Sequence, residues 1–401
     1  MEDRIAITGT GIISAIGLDE QETLHSLQAE RSGIGVVKYL ETSCKEFPVG
    51  EVQMSNVQMQ EELGIGYEEP VTRSSLMGLM AMRQALQGAR LSGKDIAHVA
   101  FVNGTTVGGM DKTEQYYNNY LNDNTRNEYI NLQSCGVCSE VIADYFGSFG
   151  LITTVSTACS SSANSIVVAA NLIRSGRYDI VIAGGCECLT KFHLNGFNSL
   201  MILDKRPCKP FDKNRNGLNL GEGAAYLVLE TETSARQRKV EPLAILSGYG
   251  NRCDAYHQTA TSPEGEGYWL AICEAMRSAG MKAGDIDYVN AHGTGTHNND
   301  GSESAAFRRI FKDALPPVSS TKPFTGHTTS ASGAIEAIIC ILAIRNNFIP
   351  GNLNWESIDE GCIIPTTHTI EADLTNVMSN SFGFGGNDTS IILSKWKGQW
   401  A

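Results

Sequence analysis

One cysteine and two histidines stand out, each in a frame that suits chemistry. Val155-Ser156-Thr157-Ala158-Cys159-Ser160-Ser161-Ser162 sets a cysteine where an apolar strand meets a helix rich in small residues. Asn290-Ala291-His292-Gly293-Thr294-Gly295-Thr296 holds a histidine in a glycine-threonine loop. Lys322-Pro323-Phe324-Thr325-Gly326-His327 supplies a second histidine, five residues after a lysine. A cysteine at a helix N-terminus faces unpaired N–H groups and the positive end of the macrodipole. Its thiolate is therefore expected to be favoured, with a pKa below the free value of about 8.5. The strand-to-helix turn presents the sulfur at a sheet edge, as a nucleophile elbow presents a serine. Two neutral imidazoles donating N–H bonds suit a developing oxyanion or enolate. The combination predicts acyl transfer by a thiol. A Cys-His-His zinc site is the competing reading, but no close metal-ligand spacing supports it, and no metal is expected.

Two further motifs invite other chemistry. Cys135-Gly136-Val137-Cys138 has redox spacing, yet it stands alone and runs into what reads as an ordinary helix, Ser139-Glu140-Val141-Ile142. Phe382-Gly383-Phe384-Gly385-Gly386 might be taken for a phosphate loop. It lacks the lysine of a P-loop and opens a strand, Ser390 to Leu393, rather than a helix. Exposed N–H groups in that turn better suit an oxyanion hole.

Positioning these residues takes a large α/β scaffold. Arg4-Ile5-Ala6-Ile7-Thr8-Gly9 reads as a buried strand ending in a glycine turn, and Val99 to Val102 and Tyr178 to Gly185 read as further buried strands. Helical patterns separate them, most clearly Leu76 to Ala89 and Ala163 to Ile173. Near-continuous apolar strands between helices predict a parallel-rich sheet covered on both faces. The polar stretch Glu230 to Lys239 marks a boundary, dividing the chain into 1–240 and 241–401. The second part repeats the logic of the first. Asp287 to Asn290 is a strand leading into the His292 loop, and His327 precedes an apolar helix, Ala331 to Ile344, much as Cys159 precedes its own.

Composition excludes several functions. A formal net charge of -13 leaves no basic domain to meet phosphates, so no nucleic-acid partner is expected. The eleven cysteines are scattered and odd in number, and the start Met1-Glu2-Asp3-Arg4 has no signal-peptide pattern. Reduced thiols and a cytoplasmic location follow as the expectation. No apolar run reaches transmembrane length, since Gly333 to Ile344 is short and broken by Glu336.

These motifs resemble the elongating β-ketoacyl-acyl-carrier-protein synthases of the thiolase superfamily, and the resemblance runs nearly end to end. It includes Ile7-Thr8-Gly9-Thr10-Gly11, Pro210 to Gly217 with Gly221-Glu222-Gly223, Asp254 to His257, Ser319 to Lys322, and Asn380 to Gly386. It implies a five-layered α-β-α-β-α thiolase fold of two similar halves, usually dimeric. It implies that Cys159 takes an acyl chain from a carrier protein. No cofactor of the enzyme's own is implied, because phosphopantetheine arrives on the carrier. His292 and His327 would polarise the malonyl thioester as carbon dioxide leaves. Lys322 would orient His327 through a charge network that includes Glu303. Backbone N–H groups of Cys159 and Phe384 would form the oxyanion hole, and Phe384 would gate the pocket by moving with Gly383, Gly385 and Gly386. Thr294 and Thr296 would bind the pantetheine arm.

The partners implied are the acyl carrier protein, acyl and malonyl thioesters, and a second copy or a related subunit. The alternative roles are the ketosynthase half of a heterodimer or a non-catalytic partner, the latter disfavoured by retention of Cys159. Carrier docking is expected on a basic patch of Lys205, Arg206, Lys209, Lys213 and Arg215. Departures from the family pattern flank the pocket. His297 stands where proline is usual, Asn299-Asp300 replaces Gly-Asp, and Asn387-Asp388 replaces Thr-Asn. The segment from Glu61-Glu62 to Glu68-Glu69 is acidic where several relatives carry a basic helix.

Overall fold

The computed structural model describes residues 3–93 and 95–398. Its strands are β1 (Ile5–Ser14), β2 (Ala100–Gly104), β3 (Leu151–Val155), β4 (Ile180–Glu187), β5 (Gly223–Thr231) and β6 (Ala244–Cys253). They continue with β7 (Tyr288–Asn290), β8 (Val318–Ser319), β9 (Phe348–Ile349), β10 (Ile370–Glu371), β11 (Asn376–Gly383) and β12 (Asn387–Ser394). The large sheet runs β3-β2-β4-β5-β1-β6-β12-β11-β7-β8, and β9 and β10 form a separate small pair.

That order is one pattern used twice. In the first half β3, β2 and β4 are parallel neighbours, and β5 runs antiparallel to both β4 and β1. In the second half β8, β7 and β11 are parallel, and β12 runs antiparallel to both β11 and β6. Within the large sheet the halves meet at β1 and β6, over the pairs Ile5–Leu246 to Ile7–Ala244. The sheet is therefore mixed rather than parallel-rich. The apolar runs came from burial on both faces, which antiparallel strands share here.

Helices complete five layers. The Arg73–Gly88 helix covers β1 and β5 on one outside, and the Glu266–Ala279 helix covers β6 and β12 on the other. Between the half-sheets lie the Ser161–Arg174 and Ser332–Asn346 helices, packed on each other and on strands of both halves. The Ser332–Asn346 helix is apolar all round because it meets protein on every side. With its preceding turn, Thr329–Asn346 has the length and composition to cross a membrane, yet 89% of it is buried inside the protein. It is a core helix.

Close helix-on-strand packing explains the first glycine motif. Strand β1 continues through Gly9 to Ser14 instead of turning there. A Cβ on Gly9 would lie 2.4 Å from the Ala85 carbonyl oxygen, and one on Gly11 would lie 2.0 Å from that of Ala81. The second half repeats the device, with Gly248 against Ala275 and Gly250 against Ala271. Overpacking of this kind costs about 1–3 kcal/mol or more where backbone must move.

The stretch expected as a boundary is the Glu232–Arg238 helix, and Glu230 itself is a fully buried end of β5. Glu230 takes hydrogen bonds from Thr8, Ser234 and Arg238. All eleven cysteines are free. Cys135 and Cys138 open the Cys135–Phe146 helix, where the Cys138 sulfur lies 3.7 Å from that of Cys186.

Candidate active site

Four loops that follow strands converge on one cavity of about 330 Å³. The Cys159 turn follows β3, the His292 loop follows β7, the His327 loop follows β8, and the Phe384 turn joins β11 to β12. All leave the carboxyl ends of parallel strands, where open α/β sheets place their ligands. Cys159, His292, His327, Thr294, Thr296 and Phe384 all line the cavity. Cys159 and His327 occupy matching places in the two halves, each just before a central helix. The two helix starts touch. Gly333 leaves room for Ala163, and the Ala334 N–H donates to Ser162 Oγ at 3.0 Å.

The turn before Cys159 is strained. Ala158 has φ +52°, a left-handed conformation unusual for a residue with a side chain. It aims Cys159 inward, leaving it 5% exposed. Burial pushes the Cys159 thiol up to about 11, opposed by the charge of Lys322 and by the N–H groups of Phe384 and Cys159. This corrects the expectation of a lowered pKa. Helix-start N–H groups do favour the thiolate, but loss of water outweighs them.

The imidazoles are held neutral. Burial, and next the charge of Lys322, pushes both His292 and His327 well below the usual histidine range. Their ring centroids are 5.3 Å apart and their planes nearly perpendicular. His327 Nδ1 lies 3.1 Å from Ser332 Oγ, and the His327 N–H donates to the Asn219 carbonyl at 2.7 Å. A Ser332 hydroxyl that donates to Nδ1 would place the ring proton on Nε2, the tautomer of a hydrogen-bond donor there.

Lys322 is fully buried, and its partner is Glu336, with Nζ 2.6 Å from Oε1. Glu303 lies within reach of the Lys322 charge, and its hydrogen bonds go to the His292 loop. Its two oxygens accept the backbone N–H groups of His292 and Gly293, at 2.9 and 2.8 Å, and so fix that loop. The direct partner of Lys322, Glu336, was not among the expected residues. Glu336 lies on the central apolar helix, one turn beyond Ser332, where an unpaired carboxylate would be very costly. A lone acid in such a helix was the signal for it. Burial raises both carboxyls, Glu303 to about 7.

Thr294 and Thr296 hydroxyls lie 2.9 Å apart at the cavity wall, and Thr296 caps the His297–Phe311 helix. His297, Asn298 and Asn299 line the same side. Gly385 and Gly386 take φ +79° and +75°, which only glycine adopts freely, so the chain reverses sharply after Phe384. The Phe384 ring stacks on Phe197, a cavity residue that no sequence motif marked.

The basic patch survives only in part. Arg215 is buried, pairing with Asp359 at 2.5 Å and Asp300 at 3.7 Å, so it offers nothing to a partner. Lys209 is mostly covered and pairs with Glu356 at 3.2 Å. Lys205, Arg206 and Lys213 are exposed. They follow Met201 and Ile202, which line the cavity mouth. Among the described residues no cluster of three or more histidine, cysteine or acidic side chains is arranged to hold a metal ion.

Comparison with known proteins identifies the scaffold. Residues 2–235 match the beta-ketoacyl synthase N-terminal domain, and residues 243–356 match its C-terminal domain. The chain belongs to the beta-ketoacyl synthase family. This synthase is 33% identical to 3-oxoacyl-[acyl-carrier-protein] synthase 2 of Coxiella burnetii, over 98% of both chains. It is 32% identical to synthase 1 of Haemophilus influenzae, over 98% of this chain and all of the other. Among solved structures, the ishigamide ketosynthase/chain length factor matches with a TM-score of 0.91 and 31% identity, over 99% of this synthase and 100% of that chain. A ketosynthase in complex with its chain length factor from Xenorhabdus doucetiae matches with a TM-score of 0.86 and 31% identity, over 98% of each. The fold is the thiolase fold of these ketosynthases, and the enzyme class is acyltransferase.

Proposed function

We propose that this synthase extends an acyl chain by decarboxylative condensation, with the chain held as a thioester on Cys159. The observation that carries the reading is the convergence of one thiol and two neutral imidazoles in a single cavity. Cys159 attacks the thioester of an acyl carrier protein, forming the S–acyl bond and releasing the carrier thiol. The proton lost by the Cys159 thiol ends on the departing carrier sulfur, so the carrier leaves as a thiol. A malonyl carrier then enters. Its thioester carbonyl accepts N–H bonds from His292 and His327 while carbon dioxide departs, leaving an enolate. The enolate attacks the acyl-Cys159 carbonyl, whose oxyanion meets the N–H groups of Cys159 and Phe384; its collapse breaks the bond to the Cys159 sulfur, leaves the 3-oxoacyl chain on the carrier, and returns a Cys159 thiolate that takes up a proton. Thr294 and Thr296 hold the pantetheine arm, and Phe384 gates the acyl end. Burial, and after it the charge of Lys322, holds both imidazoles unprotonated, and Glu336 holds Lys322 in place. No cofactor of the enzyme's own takes part in these steps. The reduced cysteines suit a cytoplasmic site of action.

The decisive test supplies acyl and malonyl carrier proteins and follows the products by mass. The reading requires an acyl adduct on Cys159 and a 3-oxoacyl carrier, with carbon dioxide released in equal amount. Adduct without chain extension would overturn it.

Carrier docking is proposed on Lys205, Arg206 and Lys213, without Arg215. Acyl carriers are acidic and this chain is acidic too, so a local positive surface must offset long-range repulsion. Charge complementarity chiefly raises the association rate and fades as salt screens beyond about 8 Å. Reversing the three residues to glutamate should raise the apparent KM for acyl carrier at low salt. Turnover with a short pantetheine thioester should barely change. Equal losses on both substrates would show damage to the fold instead.

A second subunit is also favoured by one observation. Strand β3 ends the sheet with its outer backbone edge unpaired, and all five of its residues are half-exposed. Uncovered edges of this kind invite pairing with another chain. Two of the matching structures are ketosynthases described with a chain length factor. We assign β3 to contact with a second copy or a related subunit, and the solution mass of the purified chain, alone and with a candidate partner, separates the two.

A further inference from the structure

The turn that carries Phe384 rests on two carboxyl groups with no donor between them. Asp388 opens β12 and is 1% exposed, and neither of its carboxyl oxygens has a hydrogen-bond partner. Asp254 follows β6. Its Oδ2 accepts from the Thr261 hydroxyl and the Ser262 N–H, while its Oδ1 is buried and unpartnered. Both residues crowd one side of Gly267, where an added Cβ would lie 2.0 Å from Asp388 Oδ2 and 2.7 Å from Asp254 Cβ. The same loops clamp the turn. The Asp254 N–H donates to the Gly386 carbonyl at 3.0 Å, and the Gly385 N–H donates to the Gln258 carbonyl at 2.8 Å.

Buried acceptor oxygens without a donor are costly, and a negative charge buried beside another carboxylate is costlier. One proton on Asp388 relieves both problems. We propose that Asp388 holds a proton that latches the Phe384–Gly386 turn to the loop after β6, and that opening the turn releases this proton to solvent. Burial, and after it the charge of Asp254, pushes the Asp388 carboxyl up to about 8. Among the described residues no cation offsets these two effects. Tyr268 faces Asp388 from the Glu266–Ala279 helix, with its ring stacked on Phe382 and its hydroxyl bonded to Asn299. Glu303 acts on Tyr268 from the next helix. Arg252, beside Asp388 in the ladder, turns to the surface and pairs with Glu274 at 2.7 Å.

The sign follows from where the proton sits. In the open turn a hydrated Asp388 titrates in the ordinary range, near about 4. Between that range and the closed-state value, closing takes up a proton. Opening therefore becomes easier by up to about tenfold per pH unit as pH rises, and the dependence ends once both states are ionised. Above about pH 8 the turn is at its loosest.

Hydrogen exchange of the whole chain tests this without substrate. After correction for intrinsic chemistry, protection of peptides covering 383–388 and 254–258 should fall between about pH 5 and about pH 8, by up to about tenfold per unit. Asp388→Asn should keep protection and remove the slope. Asp254→Asn removes the second cause of the shift and places an amide N–H donor beside the Asp388 carboxyl, so it should shrink the slope, and it serves where the first variant folds poorly. A flat wild-type profile, or variants that keep the full wild-type slope, would overturn the proposal. The inference rests on the condensation reading only for its consequence, that moving the turn admits the acyl chain. Acyl loading of Cys159 by the same variants tests that separately, so the latch and the gate can fail independently.

Discussion

With Cys159 replaced by alanine, condensation is expected to fall to background and no acyl chain to remain on the protein. The expectation stands on placement. Cys159 is the cysteine that lines the cavity, and it sits on a strained turn beside both imidazoles. The other ten thiols are structural or peripheral, and none lines this cavity. Its raised pKa adds a signature. A thiol near about 11 is mostly protonated at neutral pH. Alkylation of Cys159 by a small neutral reagent should therefore climb about tenfold per unit between about pH 8 and about pH 10, without levelling. Exposed Cys253 provides an internal reference. Intact and peptide mass spectrometry read both results. Acylation transferred to a different cysteine in the alanine variant would sink the assignment, and a plateau by pH 8 would show a thiolate held at neutral pH.

His327→Ala should remove most malonyl decarboxylation while leaving some acyl loading. Loss of one preorganised donor at a developing enolate typically lowers rate by about 10²–10³-fold. The neutral state is what makes the imidazole a donor without charge, and burial maintains it, with the charge of Lys322 next. His292→Ala should act on the same step. His327→Asn keeps an N–H donor and should recover part of the loss, which a purely structural role for the ring would not produce. Carbon dioxide release from malonyl carrier, followed apart from loading, gives the measurement. Near wild-type decarboxylation in both alanine variants would remove the two histidines from the mechanism. Glu336→Gln offers a structural contrast. Breaking a buried ion pair by removing one partner costs roughly 3–5 kcal/mol, so stability should fall along with activity.

Much of this site was legible in the chain itself, for a physical reason. Cys159, His292 and His327 each sit where backbone geometry demands glycine or small neighbours, and those demands are written locally. The repeat was legible too, because both central helices begin just after a reactive residue. What stayed hidden depends on distance. Lys322 meets Glu336 across a helix start, while the expected partner Glu303 turns to the His292 loop. Arg215 reads as one more surface cation until Asp300 and Asp359 arrive from 85 and 144 residues away to cover it. The thiol pKa was misjudged because a helix start is local and desolvation is not. Gly9 was taken for a turn because glycine marks a turn and a close approach equally well.

The interleaving of the two halves has a consequence for how the chain is made. The Ser161–Arg174 helix is finished early in synthesis, with Ile166, Ala169, Ala170 and Ile173 ready to pack. Strands β2 and β4 of its own half cover one side of it, but the helix that packs on its other side, Ser332–Asn346, leaves the ribosome well over a hundred residues later. Throughout that interval the nascent half carries an uncovered apolar stripe. The protein is thus most vulnerable to aggregation before it is complete, and the same late helix that seals the stripe brings the His327 side of the catalytic cavity into place.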